Sequence, residues 1–406
     1  MQATFRALHS QFSLFSLRTS DPFVVIPIFF SYNSAMSYQC FACGKKHSIE
    51  EKIFRCNCGG FLQVECEEIF PRKQLKARNL SIWRYREAFG LPPSLEAVSL
   101  GEGRTPLVTR NIDGNEVTFK LEYLQPSGSF KDRGASVLIS LVRGLGVTRV
   151  VEDSSGNAGS AISAYAAAAG IGCSVYVPEY TPEGKLVQIR LYGAEVIKVP
   201  GKRQDANDAV IRAAQSAYYA SHLWNPFFVM GMKSVAFEIW EEMGKKIPPF
   251  VVVPLGAGSN IEGLYLGFTA LVQAGYTKKI PRLIGIQAEK CSPIHRAFQA
   301  GMDDFAEMEV DLTVAEGIAV QKPPRTRAVL QAIRRSQGRT LSVTEEEILG
   351  SSRRLFSMGF FVEPTSAAAF AGWLKLSPAE RNKALVILTG SGLKESRKLG
   401  ELFPPS

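Results

Sequence analysis

Residues 126–134 read Pro-Ser-Gly-Ser-Phe-Lys-Asp-Arg-Gly, one lysine set among small and turn-forming residues. An apolar run follows (Ala135, Val137, Leu138, Ile139, Leu141, Val142). The spacing therefore predicts a loop-to-helix junction at Lys131, with Asp132 near the positive end of the helix. A lysine amine that loses its charge there, partly out of water, can attack a carbonyl and form a Schiff base. The same residues also suit a capped helix start carrying a solvated lysine.

Two other groups of residues could do chemistry. Cys40-Phe-Ala-Cys43 and Cys56-Asn-Cys58 are close pairs, each followed by glycine, and resemble the two knuckles of a zinc ribbon. Four thiolates complete a tetrahedral site and would fold a module too small for its own core, so a structural zinc is expected over four free thiols. Such a site has no open position for catalysis. Cys66 is left over, and His47 is expected on the surface. Further on, Leu255-Gly-Ala-Gly-Ser-Asn-Ile-Glu-Gly263 follows an apolar run. A glycine loop feeding a helix presents free backbone N–H groups to a phosphate. It lacks the lysine of a P-loop and the spacing of the dinucleotide fingerprint, which favours a small cofactor's phosphate over ATP or NAD.

The elements that must hold these residues are legible as an alternation. Strands are expected over 117–123, 148–152, 173–177, 195–199, 250–254, 283–288 and 384–388, and helices over 160–169 and 205–220. Strand, loop and helix in turn is the mark of a parallel sheet covered by helices, an α/β fold. Ligands of such sheets sit beyond the carboxyl ends of the strands, where the Ser154–Gly159 loop falls. Turn chemistry alone would also explain that loop.

Composition bounds the rest. The chain has 406 residues, 46% hydrophobic and 21% charged, enough for two or three domains. Its formal charge of +9 is spread without a basic run, which gives no basis for nucleic-acid binding. No apolar stretch approaches the roughly 18 residues of a membrane-crossing helix. Residues 1–35, aromatic and Ser-rich, match a signal peptide poorly; they read as a leader of doubtful status with Met36 the functional start, or as a transit peptide. Five of the seven cysteines lie between 40 and 66, which suits the reducing cytoplasm better than a secreted disulfide scaffold.

Taken in order, the lysine loop, the Ser154-Ser-Gly-Asn-Ala-Gly159 loop, the glycine loop and Leu388-Thr-Gly-Ser-Gly-Leu-Lys394 resemble the fold-type II pyridoxal-phosphate enzymes. The resemblance covers about residues 95–400, and the Cys-rich module makes the threonine synthase branch the nearest in pattern. It implies two open twisted αβα domains with the cofactor, pyridoxal 5′-phosphate, in the cleft between them. The large domain would comprise 69–131 with 231–406, the small one 132–230, and the Cys-rich module 36–68. Lys131 would carry the cofactor and later act as the base. Asn157 would bond the ring oxygen, the backbone from Gly256 through Ala257, Gly258 and Ser259 to Asn260 would hold the phosphate, and Gly317 would lie on the ring face. Thr389, with Ser391 as the nearby alternative, would meet the ring nitrogen. Ser154, Ser155 and Ala158 would cradle the substrate carboxylate. A small amino-acid substrate and a homodimer are also implied.

One departure stands out. The branch is expected to carry Asn-Pro-x-Arg, whose arginine helps bind the substrate phosphate; here the stretch is Asn225-Pro-Phe-Phe228. Losing a bidentate phosphate binder argues against a phosphorylated substrate, unless Lys185, Arg190 or Lys233 supplies the charge. Three readings therefore stand: β,γ-replacement on O-phosphohomoserine giving threonine, β-replacement or deamination on serine, threonine or phosphoserine, and a zinc-ribbon binding protein with a degenerate enzyme body.

Overall fold

The computed structural model describes residues 36–66, 70–71 and 73–404; the leader expected over 1–35 lies outside them. The first module is a three-stranded antiparallel sheet of β1 (Ser37–Cys40), β2 (Lys46–His47) and β3 (Leu62–Glu65), in the order β2-β1-β3.

The remaining strands are β4 (Leu107–Ile112), β5 (Asn115–Leu121), β6 (Arg149–Glu152), β7 (Gly172–Pro178), β8 (Glu195–Val199), β9 (Tyr218–Tyr219), β10 (Phe250–Pro254), β11 (Arg282–Ala288), β12 (Arg339–Val343) and β13 (Ala384–Leu388). They form a six-stranded sheet, β12-β11-β10-β13-β5-β4, and a four-stranded one, β8-β7-β6-β9. All pairs are parallel except β4 with β5, which closes an edge as a hairpin. β10 and β13 lie at the centre of the larger sheet and are buried throughout, as the unbroken apolar runs of doubly covered parallel strands require.

The helices are α1 (Lys131–Gly144), α2 (Asn157–Ala169), α3 (Glu183–Leu191), α4 (Arg203–Ala213), α5 (Pro226–Glu242), α6 (Ser259–Gln273), α7 (Pro293–Gln299), α8 (Thr326–Arg335), α9 (Glu345–Ser357), α10 (Pro364–Leu374), α11 (Pro378–Arg381) and α12 (Ser396–Leu402). α1, α5 and α6 pack side by side. Gly231 sits so close to the Arg133 carbonyl, and Gly263 to Met232, that a Cβ at either would overlap its neighbour; these glycines set the spacing of the trio.

The α/β alternation is as expected, with local differences. The helix expected over 205–220 ends at Ala213, and Tyr218–Tyr219 pairs with β6 instead. β12 was not expected: Arg339-Thr-Leu-Ser-Val is short, polar at alternate positions and sits on a sheet edge, so no continuous apolar signal announces it. The strand expected over 117–123 stops at Leu121, where a 3-10 turn (Glu122–Leu124) delivers the lysine loop.

Candidate active site

Lys131 is the first residue of α1, and three contacts fix its loop. The Phe130 N–H donates to the Thr389 carbonyl (3.0 Å), and the Ser391 N–H to the Gly128 carbonyl (2.9 Å), joining the loop to the one after β13. Asp132 turns back to accept from the Ser127 backbone N–H (2.6 Å) and hydroxyl; burial pushes its carboxyl up to about 6. Asp132 thus braces the loop as well as standing in the first turn. Arg133 is fully buried, donating through Nε and Nη2 to both oxygens of Glu122 (2.7 and 2.7 Å) and through Nη1 and Nη2 to both oxygens of Glu238 (2.7 and 2.6 Å). This double fork ties the head of α1 to the 3-10 turn after β5 and to α5.

Lys131 itself is half-buried. Its Nζ lies 4.7 Å from the Phe130 ring centroid and 5.5 Å from that of Phe228. Burial pulls the amine down to about 8, against the opposing pull of Glu152. The lysine is therefore no ordinary solvated surface cation, and a usable fraction is neutral near neutral pH.

The other residues expected at the site form a connected ring of loops. Asn157, first residue of α2, donates its Nδ2 to both carboxylate oxygens of Glu363 (2.9 and 2.9 Å). The Glu363 N–H donates to the Gly390 carbonyl (3.0 Å), beside Thr389. Burial pushes the Glu363 carboxyl up to about 7. The Thr389 backbone N–H donates to the Ser366 hydroxyl (2.8 Å), whose oxygen lies 3.2 Å from Thr389 Oγ1. Next to Ser366, Thr365 accepts from the Gly317 N–H (3.1 Å). A Cβ on Gly256 would lie 3.0 Å from the Gly317 carbonyl oxygen, so the glycine loop and the Gly317 loop touch backbone to backbone. Ser154 and Ser155 are half-buried on the turn before α2, and Ala158 is buried within it.

The glycine loop suits a phosphate. Gly258 has φ +89, a conformation that L side chains rarely adopt, and opens α6 without a side-chain cap, so first-turn N–H groups have no intrahelical partner. Asn260 is buried and both polar atoms of its amide lack a hydrogen-bond partner among the described residues. A buried amide left this way costs roughly 1–3 kcal/mol, which a bound polar ligand would relieve. Ser129 Oγ, on the Lys131 loop, is likewise buried and unpartnered. A depressed amine, an uncapped helix start and an orphaned amide together fit a carbonyl compound bearing a phosphate.

The segment with Phe228 in place of an arginine is both core and site wall. The ring is fully buried against Gly134, where any Cβ would strike it, and also faces Lys131. Of the cations that could replace the arginine, Lys233 is buried and donates to the Ala88 carbonyl (2.9 Å), and Arg190 pairs with Glu183. Lys185 pairs with Glu316, next to Gly317, and Glu316 also takes Lys398 (2.6 Å).

In the first module the Sγ atoms of Cys40, Cys43, Cys56 and Cys58 all lie within 4.8 Å of one another, with 3.5 Å between Cys40 and Cys58 and 3.7 Å between Cys43 and Cys56. Zinc–sulfur bonds of about 2.3 Å arranged tetrahedrally space sulfurs by about 3.8 Å, so the set can hold zinc. His47 is not on the surface as expected. It is buried, its Nε2 3.4 Å from Cys56 Sγ and its Nδ1 3.0 Å from Glu51. The hairpin β1–β2 folds Lys46-His47 back over the cysteines, a placement no spacing rule could show. Glu152 and His222, which meet at the ends of β6 and β9, carry no signal of role in the sequence; Glu363 stands in a stretch, Glu363-Pro-Thr-Ser366, shaped like a loop near the cofactor of the family, which by itself assigns it no role.

Comparison with known proteins agrees with this geometry. Residues 98–390 match the family model of pyridoxal-phosphate dependent enzymes. Among solved structures, a threonine deaminase from T.th. superposes with a TM-score of 0.61 at 28% identity, over 71% of this chain and 92% of that one. O-ureido-L-serine synthase shares the fold, with a TM-score of 0.64 at 21% identity, over 77% and 98%. The chain belongs to the pyridoxal-phosphate-dependent enzymes of fold type II. Curated relatives that it resembles include threonine synthases: that of Methanocaldococcus jannaschii is 36% identical over 377 residues (89% of this chain, 93% of that one). That of Methanosarcina acetivorans is 35% identical over 374 residues (88% and 92%). The protein is thus a threonine synthase-like lyase with pyridoxal phosphate as its cofactor and a small molecule as its substrate. Among the described residues no helix is long and apolar enough to cross a membrane.

Proposed function

We propose that the protein converts O-phosphohomoserine and water to threonine and phosphate. The observation that carries the chemistry is the depressed amine of Lys131, facing the same ring of loops as the orphaned Asn260 amide; the choice of substrate rests on the threonine synthase relatives. When bound, the cofactor would withdraw electrons from the substrate's α-carbon. Lys131 would hold the cofactor and then act as base and acid at the substrate carbons. First-turn amides of α6, with Gly256 to Asn260, would bind the cofactor phosphate, and Asn157 would orient the ring, itself held by Glu363. Gly317 leaves room on the ring face. The Thr389 hydroxyl would meet the ring nitrogen without enforcing its protonation, which suits elimination and replacement more than transamination. Ser154, Ser155 and Ala158 would receive the substrate carboxylate.

We read 69–131 with 231–406 as the large domain and 132–230 as the small one, a division supported by the separate sheets whose strands those segments supply. A cytoplasmic homodimer, with structural zinc on Cys40, Cys43, Cys56 and Cys58, completes the reading. Phe228 favours a second one, deamination or β-replacement on an unphosphorylated serine or threonine, because the position offers a ring where a phosphate would want a cation. The test is a visible spectrum of the full-length protein before and after borohydride, then phosphate release from O-phosphohomoserine against keto acid from threonine or serine. Phosphate release with threonine formed supports the first reading. Keto acid without phosphate release selects the second, and no visible band after added pyridoxal phosphate would overturn both.

A further inference from the structure

Arg325 caps the start of α8 and is buried together with Glu262 of α6. Its guanidinium donates through Nε and Nη2 to the two oxygens of Glu262 (2.7 and 2.6 Å), a bidentate fork. Nη1 donates to the Leu62 carbonyl (2.8 Å) and, at 3.4 Å, to that of Trp224. The flat face lies over the Phe61 ring, 4.4 Å from its centroid. One side chain thus joins the first turn of α6, the start of β3 in the Cys-rich module, and the residue before the Asn225 cap of α5.

Two of these ends lead to sites. On α6, Glu262 stands two residues beyond the orphaned Asn260, and its N–H donates to the carbonyl of Gly258 (2.9 Å), the glycine that opens the helix. Val329, one turn along α8 from Arg325, lies so close to Gly258 that a Cβ there would overlap it. α8 therefore holds the head of α6 at both Gly258 and Glu262. On the module, Phe61 and Leu62 follow Gly60, whose carbonyl accepts from the Cys56 N–H (3.0 Å) and where a Cβ would lie 2.7 Å from Cys40 Sγ. Leu62 pairs with Cys40 between β3 and β1, and the Phe61 ring stacks on that of Phe41 (4.7 Å between centroids), the residue after Cys40.

We propose that Arg325 is a positioning residue that makes the grip of the phosphate loop depend on metal at Cys40, Cys43, Cys56 and Cys58. The ordered module presents the Leu62 carbonyl and the Phe61 ring to the guanidinium and keeps water from the Arg325–Glu262 pair. Without metal, nothing gathers four sulfurs that lie within 4.8 Å of one another, and a module of this size loosens. The pair then meets water, where an ion pair contributes little, Nη1 loses an acceptor, and the head of α6 is held less firmly. The two states are the ordered and the loosened module. Metal favours the first, and so does the α6 start that fits a phosphate. Coupling of this kind is reciprocal, so the cofactor also tightens the metal.

The inference rests on the glycine loop holding the cofactor phosphate, but not on the identity of the substrate. The test uses full-length protein, zinc-loaded or stripped of zinc with a chelator under reducing conditions, titrated with pyridoxal phosphate and followed by its visible band. Zinc removal is expected to raise the Kd for pyridoxal phosphate roughly tenfold, and added zinc to restore it. Arg325→Met is expected to weaken cofactor binding in the same sense and to cancel its zinc dependence, which loss of a merely structural arginine would not do. An unchanged Kd on zinc removal overturns the proposal, as does an Arg325→Met protein with the full zinc effect, or a native chain that takes up no zinc. If Arg325→Met does not fold, Phe61→Leu decides: it removes the ring beneath the guanidinium and is expected to shrink the zinc effect, and an undiminished effect refutes the linkage. If zinc removal unfolds the whole chain, zinc retention against a competing chelator is compared with and without pyridoxal phosphate. A tightening in the native chain that the variant lacks supports the linkage, and equal behaviour of the two overturns it. Absence of any visible band fails the functional reading, whereas a band whose titration ignores zinc fails this inference alone.

Discussion

Replacing Arg133 with methionine should destabilise the protein in a way that depends on pH. The substitution keeps a long side chain between α1, α5 and the turn after β5, but removes the five hydrogen bonds that Arg133 gives to Glu122, Glu238 and Ser234. Two buried carboxylates are then left facing each other, with Lys120 the remaining nearby cation at 3.1 Å from Glu238. Removing one partner of a buried pair costs about 3–5 kcal/mol, roughly 4–6 °C in Tm for a chain of this size. The sign of the pH dependence follows from Glu238. Burial alone would push its carboxyl up, but Arg133 and Lys120 outweigh burial and hold it at about 2, below the usual 4.5. In the native protein that carboxylate therefore adds stability above its usual range, lost as pH falls toward the folded value. Without Arg133 burial gains the upper hand, the carboxyl moves up, and stability falls as pH rises through its titration. The gap between native and variant should thus be wider at about pH 8 than at about pH 5. Urea unfolding followed by circular dichroism at both pH values, on cofactor-free protein, measures it. Equal gaps at the two pH values would refute the charge argument and assign the loss to packing.

Lys131→Ala should abolish the borohydride-sensitive visible band and turnover while leaving the melting transition of cofactor-free protein in place; normal turnover would sink the mechanism. Asn260→Leu should raise the Tm of cofactor-free protein, since it removes a buried amide without partners worth roughly 1–3 kcal/mol. It should also weaken retention of pyridoxal phosphate on dialysis, and unchanged retention would deny the loop its role. Cys40→Ser should lower bound zinc and Tm more than kcat, and loss of turnover with metal and melting intact would contradict a structural site. Glu363→Gln should flatten the pH dependence of Tm between about 4.5 and 7. The native carboxyl is raised to about 7 by burial, so its contribution to stability declines as pH climbs across that window; an unaltered slope counts against it.

Features set by local pattern could be read directly along the chain. The lysine at a helix start, the Asn157 loop, the glycine loop and the Thr389 loop are each contiguous, and each depends on backbone geometry that small residues permit within a few positions. Most of the parallel strands, though not β9 or β12, declared themselves through apolar runs, and the cysteine pairs through spacing. Which distant residues meet, by contrast, emerged with the folded chain alone. Asn157 and Glu363 are 206 residues apart, Arg133 and Glu238 105, and His222 and Glu152 70. Each meeting depends on strand order and helix packing, which alternation does not encode. The same holds for His47, carried under the cysteines by its hairpin, and for Lys233, whose charge is spent on the Ala88 carbonyl rather than offered to a substrate. Burial assigns these groups their charge states, and burial is a property of the assembled sheets, not of any one segment.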